Sequence, residues 1–167
     1  MISSAQPEIV FEHDDFEFDS LDEELQVDQR CRELLRRFYL HLQASGLKPE
    51  KASELAFAAD YYVRDYLLDF GRQNVVRPQP GLVKRFAATW FATHTLDPEY
   101  SVLERHLEAI GKFYHYLHSL HLISADELVF LEQELTAGDY YRNRIDGFMA
   151  IAGDGYVAWE AECPLKD

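Results

Sequence analysis

Apolar residues return at three- and four-residue steps along most of this chain, the spacing of helices that bury one face. Leu25, Cys31, Leu34, Leu35, Phe38 and Leu42 share one side of a predicted first helix from about Asp22 to Ala44, and Gly46 supplies its left-handed stop. Pro49 suits a first helical turn, and Glu50 and Glu54 favour the positive end of a helix. A second helix is therefore expected from Pro49 to Phe70, with Leu55, Ala59, Tyr62, Tyr66 and Phe70 facing inward. Gly71 ends it. The stretch RQNVVRPQPG is a non-helical connector, because Pro78 and Pro80 remove donors and restrict the residues before them. Leu82, Phe86 and Trp90 mark a short third helix. Asp97-Pro98 opens a fourth, carrying Leu103, Leu107, Ile110, Tyr114 and Leu117. Ser124 and Glu127 form a capping-box pattern before Leu128, Leu131 and Leu135, so a fifth helix is expected to stop near Gly138.

The ends follow other rules. Residues 1–20 alternate acids with Ile9, Val10, Phe11, Phe16 and Phe18, a pattern that fits either a disordered arm or an extended strip whose aromatics dock in a groove, and a partly docked arm is expected. After a short helix over 139–145, FMAIAGDGYVAWE places two apolar runs around Gly153-Asp154-Gly155, which predicts a small C-terminal β-hairpin. The expected organisation is an acidic arm (1–21), a helical domain (22–137) and an extension packed on it (138–167). The class is all-α, a bundle of five or six helices.

Composition narrows this further. A chain of 167 residues with 47% hydrophobic content can bury one sizeable core. The first residues lack the basic and apolar pattern of a signal peptide, and no run approaches the ~20 apolar residues of a membrane span, so no membrane association is expected. Cys31 and Cys163 lie far apart outside any CxxC spacing and suit a reducing cytoplasm better than a disulfide framework or zinc site. The net charge of −14 is unevenly placed: residues 1–28 hold ten acids and no Lys or Arg, whereas residues 29–120 hold thirteen Lys/Arg against ten acids. The middle of the chain is mildly basic. An acidic arm beside it either covers a basic face or solvates the protein.

The phrases that go beyond generic bundle spacing are the Gly46-Leu47-Lys48-Pro49 turn after Phe38, Tyr39 and Leu42, the Tyr62, Tyr66, Leu67 and Phe70 stripe, and RHLEAIGKFYHYL over 105–117. Together they cover a little over half the chain. They resemble the N-terminal core-binding (SAM-like) domain of phage integrases and tyrosine recombinases, a helical clamp that grips duplex DNA. The resemblance implies an orthogonal bundle whose second and fourth helices face the ligand. The matching candidate contacts are Lys48 and Lys51 at the second helix start, Arg64 further along it, and Arg105 and Lys112 on the fourth. Lysines at a helix N-terminus form a reasonable phosphate seat. Glu108, Gly111 and His115 depart from the family's small polar or basic residues, and each change weakens attraction to phosphate. The implied ligand is duplex DNA at modest affinity or a protein.

Recombinase catalysis is excluded, since the family's chemistry needs a His-x-x-Arg element and an arginine cradle. None of the seven histidines has an arginine three residues later. Without such a cradle, the phenols of Tyr140 and Tyr141, with pKa near ~10, stay inert. His115 and His118 could share a face toward a metal, but His121 cannot join them, because each three-residue step turns the side chain by about −60°. No cofactor motif of the P-loop, GxGxxG, GxSxG or HExxH kind occurs. Two other readings compete with the binding module. One is a small helical enzyme using the fourth-helix histidines and tyrosines. The other is a homo-oligomeric scaffold closed by exposed Tyr156 and Trp159. Gly111 within the fourth helix points to a close helix crossing there.

Overall fold

The computed structural model describes residues 10–151 and 155–162 and is all-helical over them, with no strand. A short 3-10 turn (His13–Phe16) precedes α1 (Leu21–Ala44). Helix α2 begins as Pro49–Asp60 and continues as π-helical turns over Tyr61–Phe70. Helix α3 runs Leu82–Arg85, a π segment Phe86–Trp90, then Phe91–His94. After it come α4 (Tyr100–Ser119), α5 (Ala125–Leu135), α6 (Gly138–Met149) and α7 (Gly155–Ala161). These seven helices among the described residues exceed the expected five or six.

Local chemistry sets the boundaries. Gly46 has φ 104°, and the amides of Gly46 and Leu47 bond to the carbonyls of Gln43 and Leu42, which closes α1 as a Schellman motif. Pro49 takes the first turn of α2. Ser124 and Glu127 form the reciprocal capping box of α5. Helix α3 has no capping side chain of its own. Gly81 enters it at φ 96°, and the Glu134 carboxylate on α5 accepts from the amides of Gly81 and Lys84 at 2.8 and 2.9 Å. A carboxylate on the positive end of α3 thus ties the connector to α5.

The core follows the predicted stripes, with exceptions that have physical causes. On α1 the buried residues are Val27, Cys31, Leu34, Leu35, Phe38 and Leu42, while Leu25 is 58% exposed. Leu25 sits two residues, about 200°, out of phase with Val27. Phe70, expected inside, is 47% exposed, because the wider π turns carry it off the inward stripe of Tyr62 and Tyr66. Val75, Val76 and Pro78 turn inward from the connector and close the core. Helix α2 packs between α1 and α4, and α4 packs on α5. A Cβ at Gly111 would lie 3.3 Å from Leu135 Cδ1, so α4 and α5 do cross closely there.

The predicted C-terminal hairpin is replaced by α7; Gly153 and Asp154 lie outside the described residues. The apolar residues Tyr156 and Trp159 have helical spacing, and Trp159 needs a buried seat. It is 5% exposed, its indole N–H donates to the Arg144 carbonyl at 2.8 Å, and Gly147 leaves it room. Trp159 is therefore not an exposed interface aromatic, whereas Tyr156 is 40% exposed. At the other end Phe16 is fully buried and Phe11 and Phe18 are half-buried against the core.

Candidate functional site

The two π segments face each other. The Gly71 amide bonds to the Tyr66 carbonyl at 2.8 Å, and the Phe91 amide to the Phe86 carbonyl, both five-residue spans. Such segments are rare and concentrate at functional sites. Their wide turns present six aromatic rings to one another. Tyr62 lies 5.0 Å from Phe86, Tyr66 lies 5.2 Å from both Phe86 and Trp90, and Tyr61 lies 5.3 Å from Trp90. Trp90 stacks on His94 at 4.4 Å, and Phe70 packs edge-on against both. Edge-to-face pairs of this kind add to the stabilisation from burial alone. Polar tips bind the two helices together: Tyr66 donates to the Leu82 carbonyl at 2.7 Å and Tyr61 to the His94 carbonyl at 3.3 Å.

Three features distinguish this junction from plain core. The buried Trp90 indole N–H has no hydrogen-bond partner among the described residues, an unsatisfied donor that calls for an explanation. His106 reaches in from α4 to 5.4 Å from Tyr61 and 5.5 Å from Phe91. Its Nδ1–H donates to the Val102 carbonyl, and burial holds its pKa below the ordinary histidine value. The outer rim is apolar and open: Phe57, one turn before Tyr61, is 75% exposed, Phe70 is 47% exposed, and Leu96, two residues beyond His94, is 93% exposed. Partial burial and the neighbouring Asp60 and Asp69 push the Asp65 carboxyl above its usual range.

The five basic candidates do not form one surface of free charge. Arg64 donates to Asp28 at 2.9 Å and to Asp60 at 3.1 Å, and these contacts hold it firmly protonated. Lys51 pairs with Glu108 of α4 at 3.2 Å. Lys48 is the N-cap of α2 and, like Arg105 and Lys112, is exposed and in no salt bridge among the described residues. Lys112 joins Glu104, Glu108, Tyr100, Gly111 and Leu135 in lining an open cleft of about 490 Å³ between α4 and the α5–α6 turn. Its two carboxylates oppose an anionic ligand.

The remaining candidates are explained by structure. His115 Nε2 meets Glu132 at 2.7 Å. His121 has φ 62° and, with Leu122, closes α4 as another Schellman stop, so the three-residue histidine repeat is partly a helix terminus. Among the described residues no three metal-binding side chains gather. Tyr141 is fully buried and donates to the Glu134 carbonyl at 2.6 Å. Burial also pushes the Cys31 thiol up to about 12. No helix among the described residues is long and apolar enough to cross a membrane. The chain matches no family model, no curated protein and no solved structure.

Sequence reasoning located Tyr62, Tyr66, Phe86 and Trp90 but not their meeting at paired π turns. The detectable signal was aromatic density: YYVRDYLLDF and FAATWF bring bulky rings closer in sequence than one α-helical stripe can bury.

Proposed function

We propose that the chain is a non-catalytic binding module, of the kind its clamp-like sequence phrases imply, and that its ligand is a protein docking on the rim formed by Phe57, Phe70 and Leu96. The observation that carries this reading is the exposure of Phe57 and Leu96 beside a packed aromatic junction. Apolar residues scattered singly need no explanation, but each of these adjoins a member of the junction, Phe57 one turn from Tyr61, Phe70 against Trp90 and Leu96 two residues from His94, and we read them as the margin of an interaction surface. Phenylalanine is enriched at the centres of protein interfaces relative to the rest of the surface. The acids at 65, 69 and 97 favour a partner with basic residues around an apolar patch.

Duplex DNA is the competing ligand, supported by exposed Lys48, Arg105 and Lys112. Ion pairs already occupy Lys51 and Arg64, so phosphate would have to displace carboxylates to use them. Titration of labelled duplex DNA at low salt separates the two. The protein reading expects no saturation below ~10⁻⁴ M, the weak end of non-specific binding. Tighter, salt-sensitive binding that weakens in Lys48→Ala, Arg105→Ala and Lys112→Ala would overturn it in favour of DNA.

A further inference from the structure

On a different surface, the segment around Phe11–Phe18 lies against the body as a bound peptide would. No backbone–backbone hydrogen bond joins residues 10–19 to the rest of the described chain beyond the entry to α1; those in the segment are its own turn bonds, Asp15 to Glu12 and Glu17 to Asp14. Side chains hold it instead. Arg30 donates to the Asp15 carbonyl at 2.9 Å, Asn74 to the His13 carbonyl at 3.0 Å and the Glu17 carboxylate at 2.8 Å, and Arg77 to Glu17 and Asp14. Arg37 covers the Phe11 ring at 5.0 Å and Arg72 covers Phe18 at 4.9 Å. Phe16 alone is fully buried.

We propose that the groove formed by Arg30, Arg37, Arg72, Asn74 and Arg77 is a binding site for acidic, phenylalanine-bearing segments of protein chains, and that residues 11–18 are its resident occupant in cis. The chemistry is complementary on both counts. The groove supplies guanidinium groups that take carboxylates, carbonyls and ring faces alike, and the occupant supplies four acids, of which Asp14 and Glu17 meet Arg77, three phenylalanines and backbone carbonyls. One deep anchor flanked by solvent-exposed ion pairs is the pattern of peptide recognition. Tethering gives the cis segment an effective concentration of about millimolar, so a free segment enters only when the resident one is weakened or outmatched.

The test uses the full chain and a labelled peptide of residues 10–20 as probe, read by fluorescence anisotropy. Wild-type protein should bind it weakly. Asp14→Asn/Glu17→Gln, which alters only exposed side chains of the arm, should bind it about fivefold more tightly, the scale of two exposed ion pairs. Phe16→Ala, which removes the anchor, should bind it at least ~30-fold more tightly. Adding Arg77→Ala, or raising salt, should reverse much of either gain. If Phe16→Ala does not fold by circular dichroism, the exposed double variant decides alone. The proposal fails if folded variants bind the peptide no better than wild type, for the segment is then a fixed part of the core. It also fails if binding ignores salt and Arg77, or if duplex DNA displaces the peptide at equal charge concentration, which would assign the groove to polyanions in general.

Discussion

Arg144→Met probes the strut that connects the C-terminal helix to the aromatic junction. Arg144 is 5% exposed and forms no salt bridge with a carboxylate among the described residues. Its Nε–H donates to the Ala88 carbonyl at 2.9 Å, Nη1 to the Trp159 carbonyl at 2.5 Å and Nη2 to Thr89 Oγ1 at 3.2 Å, while the guanidinium lies 3.9 Å from the Trp159 ring centroid. Ala88 and Thr89 belong to the π segment Phe86–Trp90. Hydrogen bonds from a charged donor contribute roughly 1.5–3 kcal/mol each, and a desolvated cation–π contact about 2 kcal/mol. Burying the charge opposes them by several kcal/mol. Methionine keeps the apolar stem and removes that penalty, but leaves two buried carbonyls without their donor, at ~1–3 kcal/mol each. The expected net loss is about 2 kcal/mol, a fall in Tm of about 4–8 °C for a chain of this size. Arg144→Lys retains the charge and cannot reach all three acceptors, so it should cost at least as much as methionine. Urea unfolding followed by circular dichroism and by the fluorescence of the two tryptophans measures both. A methionine variant as stable as wild type would refute the reasoning, showing that the buried charge costs more than its contacts contribute.

Other consequences follow from single residues. Cys31 should resist an aromatic disulfide reagent in the native state and react on unfolding, since burial pushes its thiol up to about 12; rapid native labelling would contradict this. Burial holds the folded pKa of His106 below the ordinary histidine value of about 6.5, so the unfolded chain binds its proton more readily. Stability contributed by the neutral ring should be present above pH 6.5 and lost as pH falls toward the folded value. His106→Gln should flatten that part of the stability–pH curve, and an unchanged slope would discount the site. Gly111→Ala should leave stability within ~1 kcal/mol of wild type or raise it. Helix propensity favours alanine, and the Leu135 methyl at 3.3 Å can turn into the open cleft, whereas Gly111→Leu should cost about 1–3 kcal/mol by overpacking, both measured in urea.

The helix stops were legible because they depend on local chemistry: Gly46, Pro49 and the Ser124–Glu127 box are decided within a few residues. So was the α4 stripe, where a regular 3.6-residue period holds to Leu117. What escaped depends on long-range partners or on departures from that period. The π turns of α2 moved Phe70 outward, α7 formed where Trp159 found Arg144 and Gly147, and the caps of α3 come from Glu134, some fifty residues away. For the candidate site, the positions of Lys51 and Arg64 were readable, as was the helical i,i+4 spacing of Arg64 with Asp60, but their partners on other helices were not. Lys51 meets Glu108 and Arg64 meets Asp28 across helix contacts that no local spacing encodes.

Whether the junction's rim receives a protein is most directly measured by placing a photo-crosslinking residue at positions 57, 70 and 96 in turn, with Leu25 and Val129 as controls. These controls are 58% and 53% exposed, so simple apolar exposure is matched. In cells producing the chain, the three rim positions should give the same discrete adduct, the controls should not, and a charged substitution at Leu96 should abolish the adduct at 57. Equal labelling at all five positions, or none at the rim, would contradict docking at this face.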